Sequence, residues 1–496
     1  MTNKFSRRVF LGGCLSGLGG AAWGAPLTVS LRPKLRPRTI VEQAITGADA
    51  LVENAGLGGR VGFVVADVKT GLILESRNAT IGQPPASVAK AVTALYALQS
   101  LGAKHRFQTR LIATSAVKNG ILRGDLILEG GGDPTLDTND LANLAAKLKA
   151  AGVREVRGRF LVSGGVLPFQ RSIDPEQPDH LGYNPSVSGL SLNYNRVYFE
   201  WKRQSNGYGV SMDARSDKYR PSVQVARIKV VKRNLPVYTY KDRGGRDEWT
   251  VAQGALGKGG ARWLPVRKPE LYSGEVFRSF ARSHGIVLKA PKVSKKSASG
   301  TVVARVSSPE LRDIVRGMLK YSNNLTAEMI GLSATVKRGK RANTLRASAA
   351  EMSAWAKSAL GMKNVRLVDH SGLGEASRIS ASDMSLALVK VHQNGVLKPI
   401  LKAIPLRFSD GKVNKNHPIK VRAKTGTLNF VSALAGYMTA EDGTELAFAI
   451  FASDMKKRSA IKRADREKPQ GERGWNKRAK KLQQALIERW GALYGR

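Results

Sequence analysis

The chain is almost without cysteine. Cys14 is the only one among 496 residues, so no internal disulfide forms and no Cys-ligated metal site is available. Histidine is sparse too. His105, His180, His284, His370, His392 and His417 lie far apart, and no pair has zinc-motif spacing. No metal or cofactor is expected. Past the first 25 residues no apolar run reaches about 18 residues, so no transmembrane helix is expected. There is no internal repeat. Acidic residues are few: 38 Asp and Glu face 81 Lys and Arg, a net charge of +43. That balance suits anionic partners such as nucleic acid, acidic lipid or an anionic polymer, and carries no information about fold.

What is present begins with an export pattern. Ser6-Arg7-Arg8-Val9-Phe10-Leu11 opens a weakly apolar run to Trp23, closed by the small residues Gly24 and Ala25. The order basic, apolar, small is that of an export signal over residues 1–25. The arginine pair before Phe-Leu matches a twin-arginine signal, used for proteins exported already folded. Leu11-Gly12-Gly13-Cys14 has the look of a lipoprotein box but comes too early. Removal of residues 1–25 leaves a mature chain with no cysteine, which suits an oxidising compartment. Residues 26–40, rich in Pro, Arg and Leu, read as a linker.

The remaining length allows two to four domains at about 100–200 residues each. Arg60–Val65 and Leu72–Glu75 are β-prone runs joined at Lys69-Thr70-Gly71, which predicts a hairpin. After Pro84-Pro85 a helix is predicted from Ser87 to Gly102, with Val88, Val92, Leu95 and Leu98 on one face. Residues 105–299 hold short β-like runs between glycine turns and read as one or two inserted β-rich domains. Helical periodicity returns at Ser308, as N-cap, with Pro309 in the first turn. Further helices are predicted over 325–337, 342–360 and 381–394. Two strands, Leu428–Thr439 and Glu445–Ser453, join at Asp442-Gly443. Residues 456–481 carry twelve basic and three acidic side chains, and Leu482–Leu493 reads as an amphipathic helix. The expectation is an α/β (α+β) domain built from residues 26–104 and 300–496, interrupted by the insertion.

Three short motifs carry chemistry: S-x-x-K, S-x-N and K-T-G. Each is weak alone. S-x-x-K begins at Ser87, Ser115, Ser409, Ser453 and Ser459; S-x-N at Ser76, Ser191 and Ser322; K-T-G at Lys69 and Lys424. Only Ser87-Val88-Ala89-Lys90 opens a convincing apolar helix. Positions i and i+3 are helix neighbours, so the Lys90 amine can take the Ser87 hydroxyl proton. A lysine base must be partly neutral, which burial or nearby cations achieve. An N-cap serine with a surface lysine would look the same in isolation. Ser322-Asn323-Asn324 lies between helices, where Ser322 can relay a proton and Asn324 can hold a substrate amide. Lys424-Thr425-Gly426-Thr427 leads into a strand. A cation and hydroxyls there can grip a carboxylate, and Gly426 admits a close backbone approach.

At these residues the chain resembles the class C low-molecular-mass penicillin-binding proteins, the D-Ala-D-Ala carboxypeptidase/endopeptidase family. Gly124-Asp125-Leu126-Ile127-Leu128, Gly130-Gly131-Gly132-Asp133-Pro134-Thr135-Leu136, Tyr183-Asn184-Pro185, Ser191-Leu192-Asn193 and Asp369-His370-Ser371-Gly372-Leu373 add to the likeness. His370 stands where the family pattern implies glycine. The resemblance implies a β-lactamase/DD-peptidase-like catalytic domain, an antiparallel sheet with helices on both sides. It implies Ser87 as acylated nucleophile, Lys90 as base, Ser322 and Asn324 as proton-transfer and binding groups, and Lys424 and Thr425 on the terminal carboxylate. The backbone N–H groups of Ser87 and Thr427 would form the oxyanion hole. The implied substrates are peptidoglycan peptides ending in D-Ala-D-Ala, cleaved in the periplasm, with β-lactams as covalent inhibitors and an anionic cell-wall polymer held by the basic surface.

Two rival readings use the same residues: a β-lactamase and a non-catalytic wall-binding homologue. The long gap between Ser87 and Ser322 argues against the first, and intact motifs argue against the second. Nucleic-acid binding would explain the charge. The basic residues are spread throughout, however, and an export signal conflicts with it.

Overall fold

A computed structural model describes residues 46–495 except 166, 296 and 297. The expected export signal and linker, and Cys14, lie outside the described residues. Among the described residues no helix is long and apolar enough to cross a membrane.

Helix α1 spans Ala48–Asn54, then strands β1 (Arg60–Asp67) and β2 (Ile73–Arg77) form the expected hairpin. Its turn closes where Thr70 donates to Asp67 and Gly71 adopts φ +75°. A 3-10 turn at Ala86–Val88 leads into α2 (Ala89–Leu101), which Gly102 stops at φ +89°. After the insertion come α3 (Leu311–Tyr321), α4 (Asn324–Lys337), α5 (Leu345–Leu360) and α6 (Ala381–His392). Strands β3 (Lys402–Ala403), β4 (Lys420–Leu428), β5 (Val431–Thr439) and β6 (Glu445–Ser453) follow, and α7 (Glu472–Tyr494) ends the chain.

The six strands make one antiparallel sheet in the order β3-β4-β5-β6-β1-β2. β1 pairs with β6, so Arg60 lies opposite Ser453 and the two ends of the chain share one sheet. Both faces are covered, which is why β5 and β6 read as apolar runs without alternation. Ala433, Ala435, Tyr437, Ala447, Ala449 and Phe451 face α2 to α6. Leu434, Met438, Leu446, Phe448 and Ile450 face α7 through Trp475, Leu482, Leu486 and Trp490. α2 is buried on every side from Ala89 to Leu98, the setting in which a helix carries no polar face.

Among its described residues the insertion holds a five-stranded sheet, two three-stranded sheets built from Arg196–Pro265, and a third three-stranded sheet of two-residue strands. It also holds two helices absent from the sequence expectation, Thr138–Ala150 and Pro269–Ser283. The strand Thr301–Ser307 pairs with Gln108–Ala113 and buries Ala304 and Val306 in the insertion's own core. That sheet therefore reaches Ser307, past residue 299.

Three local expectations are corrected. Ser308 is not an N-cap: its Oγ accepts from the Phe107 N–H at 3.0 Å, and α3 starts at Leu311 after Pro309. K-T-G does not lead into the strand at Leu428. It lies inside β4, and the chain reverses at Asn429-Phe430, where Phe430 adopts φ +56°. Finally, α7 begins ten residues before Leu482, at Glu472.

Candidate active site

The site starts with a constrained turn. Pro84-Pro85 prevents a helix from beginning earlier, and Ala86 sits at φ +45°. The next residue, Ser87, is half-exposed, and one turn on, Lys90 is fully buried. Lys90 Nζ lies 3.0 Å from Ser87 Oγ, as the i, i+3 spacing requires. It also donates to Asn324 Oδ1 and to the Ser371 carbonyl, both at 2.7 Å. Burial pushes the Lys90 ammonium down to about 8, while the Asp369 and Glu328 carboxyls pull it back up.

Two further elements close on this pair. Ser322 ends α3 in the left-handed conformation, φ +59°. Its Oγ accepts from Lys424 Nζ at 3.0 Å, and the same Nζ reaches the Thr425 carbonyl at 2.7 Å. Burial pushes Lys424 down to about 6, helped by the charges of Lys90 and Lys402. The fixed cation expected from sequence is thus weakened. Asn324 opens α4 with both ends of its amide engaged: Oδ1 accepts from Lys90, and Nδ2 donates to the Tyr183 carbonyl of the insertion at 2.9 Å.

On β4 the alternation places Lys424 and Gly426 inward and exposes Thr425 and Thr427. A Cβ on Gly426 would lie 2.7 Å from Pro85 O and 3.0 Å from Ala86 Cβ. The close approach at this glycine is therefore to the backbone just before Ser87, not to open space. Thr425 and Thr427 stand on the exposed side of the strand beside it. The structure thus brings Ser87, Lys90, Ser322, Asn324 and Lys424 together. Serines of rival motifs bond elsewhere: Ser115 Oγ accepts from Gly124 N–H, and Ser459 Oγ donates to Lys456 O.

Sequence reasoning missed the support beneath the site. Glu328, fully buried, accepts from the N–H groups of His370 and Ser371, each at 2.9 Å. Asp369 accepts from Gly372 N–H at 2.6 Å and Gly374 N–H at 2.5 Å. Burial raises both carboxyls, and the N–H groups they accept from pull them back down. The available signal for Glu328 was its position one turn after Asn324, on the same face of α4. His370 is also buried. Its Nε2 meets Ser348 Oγ at 2.8 Å, and its ring takes the space beside Gly331, where a Cβ would lie 2.2 Å away.

A serine and a buried lysine at the head of a central helix, a second serine facing a second lysine, and an antiparallel sheet covered on both faces define a serine acyl-transfer enzyme of the DD-peptidase fold. The comparisons agree. The model of the D-Ala-D-Ala carboxypeptidase 3 (S13) family matches residues 46–469. The D-alanyl-D-alanine carboxypeptidase of Actinomadura sp. (strain R39) is 29% identical over 439 residues, covering 81% of this chain and 79% of that protein. D-alanyl-D-alanine carboxypeptidase DacB of Haemophilus influenzae is 24% identical, covering 79% and 85%. The crystal structure of penicillin binding protein 4 from H. influenzae superposes with a TM-score of 0.70 at 22% identity, over 85% of this chain and 98% of that one. The chain belongs to the D-Ala-D-Ala carboxypeptidase 3 (S13) family, and it is a serine DD-peptidase of the penicillin-binding kind with domains inserted between its first and second motifs.

Proposed function

We propose that Ser87 is the acylated nucleophile of a D-Ala-D-Ala carboxypeptidase and cross-link endopeptidase, with Lys90 as its base. The observation that carries this is the 3.0 Å contact between Ser87 Oγ and a fully buried Lys90 Nζ. Ser87 Oγ attacks the carbonyl carbon between the two D-Ala residues, and its proton passes to Lys90. The backbone N–H groups of Ser87 and Thr427 receive the oxyanion. The packing of Gly426 on Pro85 and Ala86 supports that pairing, because it sets β4 beside the nucleophile. The C–N bond then breaks, the leaving amine takes a proton through Ser322, and D-Ala departs. Water repeats the steps on the ester and frees Ser87. Lys424, Thr425 and Thr427 line the strand along which the terminal carboxylate lies, and Asn324 orients Lys90. For the endopeptidase reaction the leaving amine is that of a cross-link, with the same residues in the same roles.

The enzyme acts in the periplasm, after export by the arginine-pair signal. Its basic surface holds an anionic cell-wall polymer. Lys477, Lys480 and Lys481 support this, since they lie exposed along the first turns of α7. We take the insertion as residues 105–307, the extent of its sheet.

Labelling with a fluorescent penicillin beside a Ser87→Ala control tests the assignment. Stable label on wild type and none on the variant is expected. Equal label on both removes Ser87 as nucleophile. No label on folded wild type favours rapid turnover, as in a β-lactamase, or a wall-binding role. Product masses from soluble peptides and cross-linked dimers separate the two peptidase reactions.

A further inference from the structure

Three acceptors surround Lys90 Nζ: Ser87 Oγ, Asn324 Oδ1 and the Ser371 carbonyl. Helix α4 controls two of them. Asn324 does so directly. Glu328, one turn later on the same face, does so at one remove. Its two carboxylate oxygens each take one N–H, from His370 and from Ser371, and the Ser371 carbonyl then receives Lys90. The loop is otherwise fastened by Thr93 Oγ1, which donates to the His370 carbonyl at 2.6 Å, and by Asp369 on the N–H groups of Gly372 and Gly374. Glu328 is wholly buried and makes no contact with Ser87 among the described hydrogen bonds, so its effect on the reaction passes through the loop.

We propose that Glu328 is a positioning residue: its carboxylate fixes the Asp369–Gly374 loop so that the Ser371 carbonyl directs Lys90 onto Ser87. This rests on the reading of Ser87 and Lys90 as nucleophile and base. A carboxylate is needed because both partners are donors. A glutamine of the same shape turns its NH₂ toward one buried N–H and leaves that group unpaired. The charge matters as well. The groups facing it are Lys90 from α2, Asp369 and His370 from the loop, Lys424 beside Lys90 from β4, and Asp174 of the insertion beside Asp369. A negative charge on Glu328 favours the Lys90 ammonium. Its removal shifts deprotonation of the base to lower pH.

The experiment measures the second-order acylation rate by a fluorescent penicillin from pH 5 to pH 10, normalised to labelled sites. Wild type, Glu328→Gln, Glu328→Asp and Ser87→Ala are compared. Glu328→Gln should lose at least about tenfold in rate, since small displacements of a reacting group cost that much or more, and its acid limb should move to lower pH. Glu328→Asp keeps the charge but is too short to span both N–H groups. It should lose rate with the limb unmoved. A residue that only stabilises the fold would lower the melting temperature and the labelled fraction, leaving the rate per labelled site and its pH profile as in wild type. That result in Glu328→Gln overturns the proposal. If Glu328→Gln does not fold, Glu328→Asp decides on rate: a wild-type rate overturns it, a reduced one sustains it. Label on Ser87→Ala would instead remove the reading on which the proposal rests.

Discussion

Gly372 and Gly361 share a backbone angle and differ in surroundings, which makes them a matched pair. Both sit at φ +75°. An alanine in that left-handed region costs about 1 kcal/mol. Around Gly361, which caps α5, nothing lies within 4 Å of the added Cβ, so Gly361→Ala should lose only that stability. At Gly372 the added Cβ would lie 1.8 Å from Ala86 O and 2.6 Å from Ala86 C. Real Cβ atoms essentially never approach within 3.0 Å, so the two backbones must part by more than 1 Å. The segment that moves is the residue immediately before Ser87, itself held at φ +45°. A misplacement of about 1 Å at a reacting group costs on the order of 100-fold, or about 2.7 kcal/mol in barrier.

Gly372→Ala should therefore acylate about 100 times more slowly, while Gly361→Ala labels at the wild-type rate. Gly426→Ala grades the series. Its Cβ would meet Pro85 O at 2.7 Å without a positive φ, so a smaller loss is expected. The assay is the rate of fluorescent penicillin labelling per labelled site, with thermal melts of each variant. Gly372→Ala acylating as fast as Gly361→Ala would refute the idea that this loop sets the nucleophile's turn.

Acylation should rise with pH and reach half its maximum near 8. Lys90 is an ammonium below that value and a free amine above it, so a rate independent of pH between 6 and 9 would contradict Lys90 as base. Burial holds His370 near 3 against 6.5 in the unfolded chain. The unfolded chain then binds a proton that the folded one refuses, so the contribution is complete above 6.5 and is lost as pH falls toward 3, at about 1.4 kcal/mol per pH unit. Melts of His370→Gln should show a flatter acid slope than wild type, and equal slopes would contradict this. Arg267, buried, donates to the carbonyls of Arg171, Asp179 and Asn184. Arg267→Met should cost about 3 kcal/mol or more by leaving these carbonyls unpaired, and should slow acylation because the adjoining Tyr183 carbonyl holds Asn324; unchanged labelling would separate this loop from the site. Charge reversal of Lys477, Lys480 and Lys481 should weaken salt-sensitive binding to sacculi and leave hydrolysis of a soluble peptide unchanged; undiminished binding would place the polymer elsewhere.

The sequence made some of this legible for physical reasons. Ser87 and Lys90 are three residues apart where a 3-10 turn runs into α2, so local geometry alone brings them together. The two-faced burial of β5 and β6 left long apolar runs. Other elements gave misleading signals. The Asn429-Phe430 reversal contains neither glycine nor proline, and a phenylalanine at φ +56° is an unusual turn residue, so the expected strand runs from Leu428 straight through the turn and β4 is missed. In β4 the alternation is real, with Val421 and Ala423 buried and Lys420 and Arg422 exposed, but charges on an edge-proximal strand resemble a loop. Ser308 has the composition of an N-cap, yet Phe107, some two hundred residues earlier, supplies its partner. The start of α7 hides among basic residues, where Trp475 and Ala479 are the apolar residues that extend its buried stripe.

The hidden part of the site has a common character. Motifs name side chains that meet the reacting atoms. What holds those side chains in place is largely backbone: the Ser371 carbonyl on Lys90, the Tyr183 carbonyl on Asn324, and the His370 and Ser371 N–H groups on Glu328. Every residue type supplies a carbonyl, and nearly every one an N–H, so such contacts leave no mark on sequence. They become visible only where two backbones come too close for a Cβ. Gly372 and Gly426 grip the Pro85–Ala86 backbone from two sides, and each is glycine because the space is already taken. His370 follows the same rule in reverse, since its imidazole fits only because Gly331 across from it has no side chain. His370 and Gly331 share one space, and the pair has to be read together.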